Sequence, residues 1–164
     1  MPQPLPIREA SLPADSARLQ RVIREYVAWL GMDLSYRGFE AEMADFDRTY
    51  TLPGGTFFLA QCGAETAGCA GLLRHDGAVA ELKRVFVRPA FRGRDLGRRL
   101  VEAVIGKARA LGFERLILDA VPPTTHAQRL YARMGFEEKA PFYDGAVPGT
   151  RFLALTLRPL PHRV

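Results

Sequence analysis

The sequence predicts an α/β domain built on a mostly antiparallel sheet with one strand–helix–strand crossover, and three observations lead there. Short runs rich in β-formers recur between Thr56 and Val87, separated by turn residues, which is the pattern of consecutive hairpins. Two stretches, Pro13–Leu30 and Leu96–Leu111, carry apolar residues at helical spacing. The second stretch lies between two strand-like runs, Val79–Val87 and Arg115–Ala120, and so reads as the crossover helix.

Taken in order, Pro6–Glu9 is a short candidate first strand. In Pro13–Leu30 the residues Leu19, Val22, Ile23, Tyr26, Val27 and Leu30 fall on one side of a helix. A weaker helix is expected over Phe39–Tyr50, after the break at Gly31–Gly38. Thr56–Gln61 and Ala67–Arg74 form a hairpin about Gly63–Glu65, and His75-Asp76-Gly77 turns the chain into Val79–Val87. Pro89 ends that strand. The next helix buries Leu96, Leu100, Val101, Val104, Ala108 and Leu111, and Gly112 closes it. After Arg115–Ala120, Pro122-Pro123 break the chain before a helix at Thr125–Met134, and Phe136–Phe142 and Phe152–Leu157 are expected as closing strands. Internal repeats, low-complexity stretches and linkers are not apparent, so the 164 residues read as one domain, 1–164.

Composition excludes several classes. The chain is 48% apolar and 25% charged, ordinary for a globular protein, and it has neither a signal-peptide pattern nor a run long enough to span a bilayer. A cytoplasmic, membrane-free location is the expectation. Cys62 and Cys69 match no metal spacing and read as small core residues of a reduced compartment. His75, His126 and His162 are scattered, so no metal site is expected. The net charge of +5 is concentrated: Lys83–Arg115 carries +7 and the rest −2. A local cationic patch of this kind suits a polyphosphate ligand, and no nucleic-acid-binding motif accompanies it.

That patch contains the most informative segment, Val87–Leu100. A strand runs into a turn carrying Gly93 and Gly97, and a helix opens directly behind it. The first turn of a helix presents unpaired N–H groups and the positive end of the macrodipole, and is therefore an anion site. Glycine lets the backbone approach phosphate oxygens, while Arg92, Arg94, Arg98 and Arg99 add charge. Neither GxxxxGK[ST] nor GxGxxG is present, which argues against nucleoside triphosphates and dinucleotides.

The turn resembles motif A of the GNAT superfamily of N-acetyltransferases, Gln/Arg-x-x-Gly-x-Gly/Ala, with Arg92 first and Gly97 last. Asp95 stands where the middle glycine belongs, and as an Asp ahead of a helix it is a candidate N-cap. Leu130-Tyr131 followed by Gly135-Phe136 is similar to the family's motif B, and Thr124 replaces an asparagine often found seven residues before the tyrosine. The resemblance implies a mixed, mostly antiparallel sheet of about six or seven strands flanked by about four helices. It implies acetyl-CoA as co-substrate, with Arg92, Gly93, Arg94, Asp95, Leu96, Gly97 and Arg98 at the pyrophosphate and Thr124 and Tyr131 nearby. It also implies that Val85, Phe86 and Val87 pair through their backbone with the pantetheine arm, admitted by a splay between that strand and Arg115–Ala120.

Acetyl transfer to an amine needs a base for the ammonium and an acid for the departing thiolate. By the resemblance, Glu81 holds the position of the base and Tyr131 that of the acid. Each has a plainer reading, Glu81 as a strand-edge partner of Lys83 or Arg84 and Tyr131 as a packing aromatic. The acceptor is expected to be a small-molecule amine or amino acid, in a pocket near Trp29, Tyr36, Phe39 and Tyr143, and a homodimer is compatible with it. The competing readings are a protein N-terminal or lysine acetyltransferase, a CoA-binding regulatory domain without turnover, and a basic nucleic-acid module.

Overall fold

The computed structural model describes residues 3–35 and 38–157. Tyr36, one of the expected acceptor residues, lies outside them. Among the described residues the order is β1 (Ile7–Glu9), α1 (Ser16–Leu30), α2 (Phe39–Ala44), α3 (Phe46–Thr49), β2 (Gly55–Cys62), β3 (Glu65–Asp76) and β4 (Val79–Val87). There follow α4 (Leu96–Ala110), β5 (Arg115–Ala120), α5 (Thr125–Arg133), β6 (Glu137–Glu138) and β7 (Arg151–Thr156). The seven strands form one sheet in the order β1-β2-β3-β4-β5-β7-β6. Every neighbouring pair is antiparallel except β4–β5, which α4 joins as a parallel crossover.

Each face of the sheet has its own apolar layer. The α4 stripe of Leu96, Leu100, Val101, Val104 and Ala108 packs on Ala80, Leu82, Leu116 and Leu118. On the other face, Leu19, Val22, Ile23 and Leu30 of α1 meet Phe46, Phe57 and Leu59. Covered on both sides, β2 and β3 read as nearly continuous apolar runs instead of alternating ones. The long helix expected over Phe39–Tyr50 is two short ones, because Asp45 leaves helical geometry at φ −111, ψ 23. The strand expected over Phe136–Phe142 is reduced to Glu137–Glu138, with Pro141, Gly145, Pro148 and Gly149 in the segment that follows. Among the described residues no helix is long and apolar enough to cross a membrane, and no group of three or more His, Cys, Asp or Glu is placed to hold a metal.

Two irregularities in β4 shape the middle of the sheet. Its ladder with β5 covers only Val79–Glu81 against Arg115–Ile117, after which the strands diverge while β5 stays paired with β7 through Ala120. The β3–β4 register runs from Gly71↔Lys83 to Cys69↔Phe86, so β4 carries one residue more than β3 there. That bulge contains Arg84, whose φ of 55° is left-handed. It resets the alternation: Ala80 and Leu82 face α4, and so do Val85 and Val87, while Phe86 faces α1.

Gly68 is the close contact that lets β4 lie this way, since a Cβ there would sit 2.7 Å from the Phe86 carbonyl oxygen and 3.2 Å from Leu100. Gly68→Ala is therefore expected to destabilise the fold by about 1–3 kcal/mol, the usual cost of overpacking, measured by urea unfolding. Wild-type stability would mean that β3 and β4 separate freely at this point.

Candidate active site

A cavity of about 500 Å³ opens where β4 leaves β5. Val85, Phe86 and Val87 form one wall, the Arg92–Arg98 turn the floor, and Thr124, Ala127 and Leu130 of the α5 region the opposite wall. Tyr26 and Trp29 of α1 cover it. Of the turn residues, Arg92, Gly93, Asp95, Leu96, Gly97 and Arg98 line the cavity. Arg94 lies instead over the Phe91 ring, 5.6 Å from its centroid.

The turn is held by two left-handed residues, Gly93 at φ 83° and Asp95 at φ 61°. Asp tolerates this region better than most residues, so the glycine's backbone shape survives the substitution. Asp95 occupies the N-cap position of α4 but makes no side-chain cap hydrogen bond, contrary to the expectation of a capping aspartate. Its carboxylate accepts hydrogen bonds from Arg98, one from Nε at 2.7 Å, and that contact holds its pKa below the usual carboxylate range. The first-turn N–H groups of α4 thus carry no side-chain acceptor from the cap, and Asp95 is neutralised by a neighbour. Arg92 donates from Nε to the Val87 carbonyl at 3.2 Å, with its guanidinium 5.4 Å from the Trp29 ring centroid and 5.8 Å from that of Phe86. Trp29, expected in the acceptor pocket, therefore borders the same cavity as the turn. The Thr124 hydroxyl donates to the Val121 carbonyl at 2.7 Å.

Glu81 and Tyr131 do not line this cavity. Glu81 is the last β4 residue paired to β5, and it is 4% exposed with Oε2 3.7 Å from Lys83 Nζ. The surface ion pair of its plainer reading is in fact a buried contact. Tyr131 is buried in the α4-side core, its ring centroid 5.5 Å from that of Phe136. Burial raises its pKa, helped by Tyr26 and Asp119, so the phenol stays protonated across the physiological range. Tyr143 donates its hydroxyl to Asp119 at 2.7 Å. Asp119 follows Ile117, the partner of Glu81, by two residues, so the two carboxylates share one face of the sheet where the strands part. Phe39 is buried beneath the Arg24 and Arg84 guanidiniums, and its exposed edge borders a second cavity of about 300 Å³ with Arg24, Val27, Leu34 and Glu40, apart from the one at the α4 turn.

Sequence reasoning missed a further cluster. Arg84 donates to both carboxylate oxygens of Glu42, at 2.6 Å from Nη2 and 3.3 Å from Nε, with the side chains 9% and 11% exposed. Tyr50 donates its hydroxyl to Glu42 at 2.7 Å, and the Cys69 thiol donates to the Arg84 carbonyl at 3.3 Å. Burial opposes the charge on Glu42, but Arg84, Lys83 and Tyr50 outweigh it and its pKa falls below the ordinary value. Burial pushes the Cys69 thiol up to about 12. Asp119 carried a weak signal, an acidic residue in a strand otherwise committed to the core, while Glu42 stood among Glu40, Asp45 and Asp47 with nothing in the sequence to single it out. Removing one partner of such a pair leaves a buried charge uncompensated. Glu42→Ala is accordingly expected to lower the unfolding free energy by about 3–5 kcal/mol in urea titration. A loss below about 1 kcal/mol would show the pair to be solvent-screened like a surface bridge.

The geometry agrees with what the chain is similar to. Residues 23–136 match the model of the acetyltransferase (GNAT) family. An uncharacterised N-acetyltransferase of Schizosaccharomyces pombe is 32% identical over 158 residues, covering 95% of this chain and 97% of that protein. Among solved structures, a GNAT-family acetyltransferase from Staphylococcus aureus superposes with a TM-score of 0.78 at 23% identity, over 94% of this chain and 99% of that one. YncA of Salmonella typhimurium, a putative acetyltransferase solved with its cofactor acetyl-CoA, superposes with a TM-score of 0.71 at 23% identity over 95% of both chains. By sequence and by fold alike, the chain belongs to the GNAT family of acetyltransferases.

Proposed function

We propose that this enzyme transfers an acetyl group from acetyl-CoA to the primary amine of a small molecule or amino acid, by direct attack within a ternary complex. The observation that carries the reading is the continuity of one cavity from the β4–β5 splay to the α4 N-terminus. A diphosphate fits at the N–H groups of the first turn, which have macrodipole and arginine support. A pantetheine arm fits beside Val85–Val87 as an added strand, and its thioester then reaches the level where β4 and β5 part. That a related fold is seen with acetyl-CoA supports the same placement.

At that level the chain supplies what the reaction needs. A free alkylamine has a pKa of about 10.4 and is mostly protonated at neutral pH, so a base must take its proton. Glu81 stands on the acceptor face for that role, directly or through water. An N–H of β4 facing the splay polarises the thioester carbonyl. For the departing thiolate we assign the Tyr131 phenol, which burial keeps protonated; because it lies outside the cavity lining, its proton reaches the sulfur through water or a shift of the α5 wall.

Acetyl-CoA is expected to raise the melting temperature, because at a hundredfold excess over Kd a ligand of the folded state adds about 2.7 kcal/mol. Gly97→Glu should fold, since a Cβ at residue 97 meets only Leu130 at 3.5 Å, and should lose the shift through charge repulsion at the helix N-terminus. No shift in the wild-type protein at millimolar acetyl-CoA would end the co-substrate reading.

Thiol release across a panel of L-amino acids, polyamines and amino sugars tests turnover. Binding of acetyl-CoA without thiol release for any of them would favour a CoA sensor. With an accepted amine, Glu81→Gln should slow turnover by roughly 10²–10⁴, partly recovered at higher pH as more amine becomes neutral. Tyr131→Phe should lower kcat while leaving acetyl-CoA affinity nearly unchanged. Wild-type turnover in Glu81→Gln places the base elsewhere, and equal losses of affinity and rate make Tyr131 a packing residue.

A further inference from the structure

We propose that Glu42 and Arg84 are positioning residues that hold the β4 bulge in the shape needed to polarise the thioester, an inference that rests on the proposed acetyl-CoA reading. Arg84 is the extra residue of the bulge and adopts φ 55°, a conformation that an L side chain avoids unless its surroundings impose it. Four contacts impose it. The guanidinium is fixed by two hydrogen bonds to Glu42 and lies over the Phe39 ring, 5.3 Å from its centroid. Glu42 is itself fixed by the Tyr50 hydroxyl, and the Arg84 carbonyl accepts from the Cys69 thiol.

What the bulge decides is the direction of everything after it. Val85, Phe86 and Val87 follow at once, and all three line the cavity. Without the extra residue, strand alternation would exchange their faces and turn their N–H and carbonyl groups by half a turn. The donor that meets the carbonyl oxygen of the thioester must be fixed before the charge develops, because a donor that reorients during reaction stabilises less. The clamp supplies that rigidity from α2, an element of the acceptor-side layer 42 residues away in the chain. The acceptor side and the polarising donor are thereby one mechanical unit.

The test needs no acceptor. Acetyl-CoA labelled with ¹³C at the carbonyl is bound to the wild-type protein and to two paired variants, with affinity followed by calorimetry. In the wild type the bound carbonyl resonance is expected downfield of the free one, the signature of a hydrogen-bonded carbonyl. In Glu42→Gln with Arg84→Gln, both charges are removed and a side chain remains at the left-handed position. Its resonance should return toward the free value, with Kd changed less than about tenfold. In Glu42→Gln with Arg84→Gly, glycine adopts φ 55° without a clamp, and the downfield resonance should be restored. A wild-type resonance in the Gln pair, or a Gly pair no better than the Gln pair, overturns the inference. Should the Gln pair not fold, Tyr50→Phe provides the graded version: it withdraws one hydrogen bond from Glu42, and an unmoved resonance overturns the clamp. Calorimetry showing no acetyl-CoA binding by the wild type sinks the proposed function itself. Binding with the carbonyl resonance at its free value sinks the clamp alone.

Discussion

Buried backbone N–H and C=O groups must find partners, and the sheet of this protein is arranged around a place where two strands decline to supply them to each other. Beyond Glu81 and Ile117, β4 and β5 separate inside the sheet, although both remain paired on their outer sides. An unsatisfied backbone group in such a place costs on the order of 1–3 kcal/mol, so a gap of this kind is stable only if water or a ligand fills it. The rest of the molecule maintains the gap. The α4 crossover forces the pair to be parallel and short, α5 props the far wall, and α1 roofs the opening with Tyr26 and Trp29.

Charge is distributed to match. The cations of the Arg92–Arg98 turn gather at one end, where backbone N–H groups also point, and Asp95 spends its charge on Arg98. Across the sheet, on the α1 side, Glu42 is closed in an ion pair with Arg84, and Glu81 and Asp119, partnered by Lys83 and Tyr143, stand at the parting of the strands. The cations are thus kept to one end of the opening and the carboxylates to the level where the strands part, so the two ends differ in the sign of their charge.

How much of this was legible depended on the range over which each feature is written. The helices α1 and α4 and the strands β4 and β5 are recorded as local periodicity, and their ranges follow from the positions of a few apolar residues and breakers. The Arg92–Arg98 turn is also local, since its glycine spacing and arginines lie within seven residues. The Asp95 carboxylate was harder, because Asp is favoured both as a helix cap and as an i,i+3 partner of Arg98, and only geometry chooses between them. Arg84 with Glu42 could not be read at all. The pair joins residues 42 apart, and the bulge that aims Arg84 toward α2 depends on a mismatch between two strands. Tyr131 was legible as a motif and as a packing aromatic, but not as the one buried side chain of α5, since the rest of that helix is exposed or only partly covered.

The outermost strands bear on how such a sheet can grow. One border is β1, with three residues, and the other is β6, with two, both of them glutamates. Short borders and outward charge give a foreign strand little to template on, which is a recognised defence against aggregation. The unclaimed ladder between β4 and β5 is interior, where a guest must enter from the end and not from the side. The fold in this way turns a hazard common to open sheets into a socket that admits one slender chain at a time.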